Sequence, residues 1–442
     1  MTGLQLLERR RIDAKARRAG PSWLGVAVVA AWIGAVAGTH VWGRWLQAHG
    51  RRLWLNAPPL TGHLDPRLPA AALAGIVVGA AAVAFAPRVA AGLGWRRLLG
   101  VTFAAAVLWA VALALADGPH GLVRSPSSAV DYLHDVPLVG SPHAFLATFT
   151  DRIGGYAVHV RAHPPGMVLL LWGMARIGLS GPWWVAAIEI AGGASAGVAA
   201  LVALREVAGE RSARAAAPFL AFAPAAVVIA SSGDAFFAGV AAWAVALLVL
   251  ATGRGGRRGD ALALAGGLLF GAAVFLSYGL VLAVAIPAAV AYARRRARPL
   301  LVAAAGTLAV ALVFLALGFW WVDGLLATRL QYLAGVARDR PASYFVVANL
   351  AAFAIVLGPA AIAGLARLRD RSAWLLAGGA LAAAAVADLS GMSKGEVERI
   401  WLPFVPWVLV ATCALPERGR RTWLALTVAT GIALQLAVRM SW

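Results

Sequence analysis

The residues best equipped for chemistry crowd into one part of the chain. All eight histidines precede residue 164, and five of them (His120, His134, His143, His159 and His163) fall in a single polar stretch, 118–165. Asp117 stands at its head, and the stretch holds Asp131, Asp135, Asp151, Arg124, Arg152 and Arg161 before closing on His163-Pro164-Pro165-Gly166. A carboxylate among such groups can take the proton of a hydroxyl nucleophile, and guanidiniums can steady an anionic leaving group. The bland alternative is a solvated loop with histidine as neutral filler. Three smaller clusters follow. Ser231-Ser232-Gly233-Asp234 sets a carboxylate between two apolar runs, where it needs a partner or a cavity; it also reads as the ordinary N-cap of a helix over 235–251. Lys394-Gly395-Glu396-Val397-Glu398-Arg399, followed by Trp401, Pro403 and Pro406, is either a site or a solvated turn. Arg329, Tyr332, Arg338, Asp339, Arg340 and Tyr344 suit an anionic partner such as a lipid phosphate, or simply snorkel to headgroups.

Other chemistries lack their signatures. The chain contains no Gly-x-Ser-x-Gly, no His-Glu-x-x-His and no Walker loop. His159 and His163 form the one His pair at i, i+4, but two prolines follow at once, so no protein metal site is assigned there. A divalent cation remains compatible with phosphate chemistry. The lone Cys413 excludes a disulfide framework and a cysteine-based metal site.

The elements that must position these groups are membrane helices. With 61% apolar and 13% charged residues over 442 positions, the chain is neither an ordinary soluble enzyme nor disordered. Its cations are 37 Arg plus Lys15 and Lys394, giving a net charge of +20, yet no aqueous basic domain exists to bind nucleic acid. A hydrocarbon core about 30 Å thick asks for roughly 20 apolar residues per helix. Runs at 22–40, 70–87, 98–117, 183–204, 215–230, 235–251, 260–276, 279–293, 299–321, 346–366, 373–389, 400–415 and 422–440 predict an all-α polytopic bundle of about 13 transmembrane helices. The shorter segment 166–179 is expected to be re-entrant or tilted, covered by protein or a watery cavity.

Arginine clusters near 9–18, 88–97, 205–214, 254–258, 294–298, 367–371 and 418–421 mark the cytoplasmic side of a plasma-membrane protein. The segments 41–69, 118–165, 231–234, 277–278, 322–345 and 390–399 then face outward, with the N-terminus inside. The first run reads as a retained signal anchor rather than a peptide cleaved near Ala35-Val36-Ala37. No internal repeat of 20–50 residues is visible, nor are corresponding broken helices in two halves.

In their order along the chain, Asp131-Tyr132 with Asp135, then His163-Pro164-Pro165-Gly166, then Asp234, then Glu398-Arg399-Ile400-Trp401-Leu402-Pro403-Phe404-Val405-Pro406 resemble motifs of the GT-C superfamily of membrane glycosyltransferases. The likeness is to its protein-mannosyltransferase and Rgt-like branch and covers roughly residues 98–420. It divides the chain into a basic cytoplasmic tail (1–21), two additional N-terminal spans (22–97), the GT-C-like membrane domain (98–420) and a last span (421–442). Two departures stand out: the family's Asp-Glu pair is replaced by Asp131 and Asp135, and Gly166 stands where the motif has Leu.

The resemblance implies transfer of a sugar, with inversion, from a polyprenyl-phosphate donor to an acceptor hydroxyl on an envelope glycan, lipid or protein at the outer face. It implies Asp131 or Asp135 as base, and His163, Asp234, Arg329, Tyr332, Arg340, Glu398 and Arg399 around donor and phosphate. If 131–135 is helical, both aspartates share a face. Asp131 is favoured, because Asp135 lies just before Val136-Pro137 and so reads as part of a turn. The competing readings are a multi-pass transporter or lipid flippase, and a non-catalytic membrane partner. Asp388 discriminates among them, since a transporter gathers its polar groups near mid-membrane.

Overall fold

The computed structural model describes residues 23–440, so the basic tail expected over 1–21 lies outside the described residues. Alanine, leucine and valine dominate the helices, and a helix is the form that satisfies every backbone group within one apolar segment. In chain order they are α1 (Trp23–Ala48), α2 (Ala72–Gly92), α3 (Trp95–Ala114), α4 (Gly166–Arg176), α5 (Pro182–Ala221), α6 (Gly233–Thr252), α7 (Gly256–Val274), α8 (Ala285–Ala293), α9 (Arg298–Ala316), α10 (Trp321–Ala334), α11 (Ala342–Leu357), α12 (Pro359–Leu365), α13 (Arg371–Leu389), α14 (Val397–Ile400) and α15 (Arg420–Ala437). Shorter helical turns lie between them. The described residues form one two-stranded antiparallel pairing, His63–Leu64 with Val438–Arg439.

The chain is therefore an all-α polytopic membrane protein by composition and helix length. Eight helical stretches among the described residues are long and apolar enough to cross a bilayer, seven of them labelled helices and the eighth the run Val397–Ala414 that α14 opens, or nine if α11 and α12, bent by 105°, make one span. That is fewer than the expected count of about 13, and backbone breakers and charged helix starts account for the difference. The run 215–230 is not a helix of its own: α5 passes through a break at Gly209 (φ 83°) and ends at Ala221, and Pro224–Ser231 is a tight 3-10 segment. The run 279–293 divides into a 3-10 turn, Tyr278–Val284, and the nine-residue α8. Helix α7 starts among Arg257, Arg258 and Asp260, and α15 on Arg420 and Arg421, which shortens their apolar runs. At 11 residues, α4 is ~16 Å long, about half a hydrocarbon core. Ala35-Val36-Ala37 lies inside the unbroken helix α1.

Small residues let the central helices touch. A Cβ on Gly239 of α6 would collide with the backbone of Gly192 in α5, so this pair can only be glycine-on-glycine. Besides a cluster of Arg67 and Arg124 on Asp117 (2.6 and 3.6 Å) with Arg439 on Asp65 alongside, the polar residues form two groups. One ties 205–214, 252–260, 294–298 and 417 through Arg254 and Arg294 on Glu206 (3.1 and 3.4 Å), Arg214 on Glu210 (2.6 Å), Arg298 on Asp260 (2.8 Å) and Arg211 on Glu417 (3.1 Å). The other joins 53–61, 125–163, 328–345 and 388–399, and it holds the candidate site.

Candidate functional site

The stretch 118–165 folds back on itself. Asp131 precedes a 3-10 helix, Tyr132–Leu138, and accepts the Tyr132 amide at 2.7 Å. The return segment is clamped to it: the His159 amide donates to the Val130 carbonyl at 3.0 Å, and the Ala157 amide donates to Asp135 Oδ2 at 2.7 Å. Pro164 and Pro165 stop the Val158–Arg161 turn and start α4, a position where a missing amide proton costs nothing. The next amide, Gly166, donates to the Phe275 carbonyl at 3.0 Å, and a Cβ on Gly166 would collide with that oxygen. Glycine at this position therefore has a local cause.

This fold-back brings two histidines to the Arg399 side chain of α14. His159 Nδ1 faces Asp131 Oδ2 at 3.2 Å, and its Nε2 faces Arg399 Nη2 at 3.5 Å. Ser125 Oγ also donates to Asp131 Oδ2 at 2.9 Å. Arg399 donates through Nη1 to Asp234 Oδ2 at 2.6 Å and through Nη2 to Glu396 Oε2 at 2.7 Å. Ser232 Oγ donates to Asp234 Oδ2 at 2.8 Å, and His163 Nε2 stands 4.0 Å from Asp234 Oδ1. The result is a chain, Asp131–His159–Arg399–Asp234/Glu396, with His163 beside it. Asp131 is fully buried, and Asp234, His159, His163 and Arg399 are all below one-tenth exposed. Phe237, Tyr132 and His163 wall the network, their ring centroids 5.6–5.9 Å apart.

Electrostatics follows from this burial. Loss of water pushes the His163 imidazole down to about 4; Asp234 opposes that but does not cancel it, so His163 is neutral at physiological pH. Its Nδ1 donates to the His159 carbonyl at 2.8 Å, leaving Nε2 as the acceptor. Burial, then Asp234 and Asp131, hold the Tyr132 hydroxyl well above its ordinary range. Burial works against the Glu396 carboxylate, yet Arg399 and Arg340 keep it below the usual carboxyl range.

The turn before α14 is built to present Glu396. Gly395 (φ 88°) and Glu396 (φ 63°) are consecutive left-handed residues, and for Glu396 that backbone is strained. Asn349 of α11 holds the turn: its Oδ1 accepts the Gly395 amide at 3.0 Å, while its Nδ2 donates to Ser393 O and to Asp388 Oδ1. Asp388 thus sits in the last turn of α13, beside the site, rather than mid-helix. Arg340 spends its guanidinium on the carbonyls of Leu53, Trp54 and Lys394 and so fastens 53–54 to this turn. Tyr332 Oη accepts the Lys394 amide at 2.8 Å.

Among the residues singled out from sequence, Asp131, His163, Asp234 and Arg399 come together, with Arg340 and Tyr332 bracing the turn alongside. Three expectations need correction. Asp131 and Asp135 do not share a helical face: Asp135 turns to Ala157 and His134 and acts as a loop clamp. Asp234 is not the helix cap; Ser232 is, accepting the Asp234 amide at 3.1 Å and freeing Asp234 for Arg399. The 394–399 segment is no solvated turn, since Glu398 and Arg399 are buried, and Glu398 accepts the Thr61 amide at 3.1 Å, so it serves the 53–61 segment. Arg329 lies exposed on α10 and makes no ion pair among the described residues.

Sequence reasoning passed over His159 and Glu396 as site members, although both stood in clusters it had marked. It also missed Glu189, a carboxylate inside the apolar run of α5, where an acid is itself a signal. Among the described residues no three His, Cys, Asp or Glu side chains are grouped to hold a metal ion. The arrangement can hold a carboxylate–imidazole pair as proton acceptor next to a guanidinium already flanked by two carboxylates. No protein-family model matches the chain, and no curated protein matches it closely enough to show a family.

Proposed function

We propose that the chain is a membrane glycosyltransferase of GT-C type, moving a sugar from a polyprenyl-phosphate donor to an acceptor hydroxyl on the extracytoplasmic face. The observation that carries this reading is the buried Asp131–His159–Arg399–Asp234 chain, assembled from the segments that the arginine pattern leaves outside. Polar groups gathered at one end of a bundle favour surface chemistry on a lipid-linked substrate over passage through the middle. Asp388 at the end of α13 agrees with that placement.

In the proposed reaction the acceptor oxygen attacks the anomeric carbon, the bond from that carbon to the phosphate oxygen breaks, and polyprenyl phosphate leaves with the electron pair. The hydroxyl proton passes to Asp131, directly or through His159 Nε2. Since Arg399 is engaged by two carboxylates, an open guanidinium for the arriving phosphate is Arg329, exposed and without an ion pair among the described residues. On α10 that residue neighbours the exposed apolar side chains of Leu326, Leu330 and Leu333, which would meet lipid.

The test is a deletion strain, analysed by mass spectrometry for lipid-linked sugars and envelope glycans and complemented with wild type or Asp131→Asn. A polyprenyl-phosphate sugar should accumulate and one glycan should disappear. Asparagine keeps the shape and loses the basicity, so the variant should insert normally and lower turnover roughly 10²–10⁴-fold. An unchanged lipid and glycan profile in the deletion strain would sink the reading. Full complementation by Asp131→Asn would remove Asp131 as base.

A further inference from the structure

We infer that Glu189 is a ligand-binding carboxylate of this site, accepting a hydrogen bond from a hydroxyl of the bound sugar. The inference rests on the transferase reading and deepens it by placing the glycosyl group. Glu189 lies seven residues past Pro182, ~10 Å along the α5 axis. It is wholly shielded from solvent, and among the described residues neither of its carboxyl oxygens has a hydrogen-bond partner. It is close enough to Tyr132 to act on that hydroxyl in the same sense as Asp234 and Asp131.

Every other carboxylate nearby has at least one donor. Asp131 has Ser125, His159 and the Tyr132 amide; Asp234 has Ser232 and Arg399; Glu396 has Arg399; Glu398 has the Thr61 amide. Glu189 alone among them keeps both oxygens unmet. An unmet buried acceptor is a standing cost to the fold. A ligand that brings its own donors removes the cost. Sugars suit the surroundings: hydroxyls reach carboxylate oxygens while ring C–H faces meet aromatic edges, here those of Tyr132, His163 and Phe237.

The experiment measures thermal unfolding of the purified full chain in detergent for wild type, Glu189→Gln and Glu189→Met. Each is tested alone, with undecaprenyl phosphate, and with its mannosyl, glucosyl and arabinosyl forms. Without lipid, both variants should melt no lower than wild type, because they remove a partnerless carboxylate. Wild type should gain stability from undecaprenyl phosphate and more from one of the sugar-bearing forms. Both variants should keep the response to undecaprenyl phosphate and bind the sugar-bearing form roughly 10- to 100-fold more weakly. Variants that melt lower without lipid would make Glu189 structural and overturn the inference. So would a sugar-dependent gain kept by the variants, or a wild type that gains nothing from any sugar while still binding undecaprenyl phosphate. A wild type indifferent to every lipid would instead remove the donor reading itself, and the sugar role of Glu189 with it.

Discussion

Replacing Arg399 tests whether the site is one electrostatic unit. Its guanidinium holds Asp234 at 2.6 Å and Glu396 at 2.7 Å, and both Arg399 and Asp234 are nearly solvent-free. At an effective dielectric near 20, charge centres about 4 Å apart attract by roughly 4 kcal/mol, and desolvation offsets part of that. Arg399→Met keeps most of the volume but leaves two carboxylates facing each other without a cation. Breaking a buried pair from one side costs about 3–5 kcal/mol, so that is the expected loss. Asp234→Asn should cost less, because Arg399 retains Glu396. The double variant should cost about 2–3 kcal/mol less than the two single losses added together, since once the arginine is gone Asp234 is only a burden. Equilibrium unfolding in mixed micelles gives all three values. Additivity to within about 0.5 kcal/mol would refute the coupled network. The resemblance places Arg399 around donor and phosphate, and its ion pairs give it a structural task as well, so turnover of an Arg399 variant has to be compared at equal folded fraction.

Two further outcomes follow from the same geometry. Burial lowers His163 to about 4 against an ordinary value near 6.5, so the native state binds fewer protons than the unfolded chain between those values. Its contribution is complete above about pH 6.5 and lost as pH falls toward 4, roughly 3 kcal/mol in all. Melting temperature should therefore drop from pH 7 to 5, and His163→Asn should flatten the profile; a variant with the wild-type slope would clear His163. Gly166→Ala, a single added methyl against the Phe275 carbonyl, should destabilise by about 1–3 kcal/mol or more, visible as a lower melting temperature. An unchanged melting temperature would mean that the α4 junction yields more easily than its packing implies.

The fold class was legible because roughly 20-residue apolar runs have only one stable form in lipid. The number of spans was not, because hydropathy does not register backbone breaks: Gly209 splits α5, and Pro224 opens a 3-10 segment inside what reads as one apolar run. Site residues show the same division. Asp131, Asp234 and Arg399 are scattered over 268 positions yet were marked together, by order and residue type. Arg340 and Glu398 were marked on equal grounds, but backbone groups take them: three carbonyls for the arginine and the Thr61 amide for the glutamate. A charged residue near a loop announces that it needs a partner. Only the fold decides whether that partner is a ligand or the chain's own backbone.

That distinction bears on how an anion could be received. Asp234 and Glu396 flank one guanidinium, Asp131 is linked to it through His159, and Glu189 stands near Tyr132, so the buried part of the site carries an excess of carboxylates. A phosphate that entered this layer would meet repulsion before it met Arg399. Under the proposed reaction, polyprenyl phosphate would therefore be held outside the layer, by exposed Arg329 and the Lys394 turn. The sugar alone would then reach inward to Glu189, and the acceptor hydroxyl to Asp131. Carboxylates facing the sugar favour positive charge at the anomeric carbon as the phosphate departs, which is where the barrier must be lowered. On this arrangement Arg399 keeps two carboxylates, Asp234 and Glu396, in place beside a reacting centre and need not touch the phosphate at all. Arg329→Gln should then weaken undecaprenyl-phosphate binding with little change in melting temperature, whereas Arg399→Met should lower the melting temperature and leave lipid affinity per folded molecule nearly unchanged. The opposite pattern would put the phosphate on Arg399 and the network would have to open to admit it.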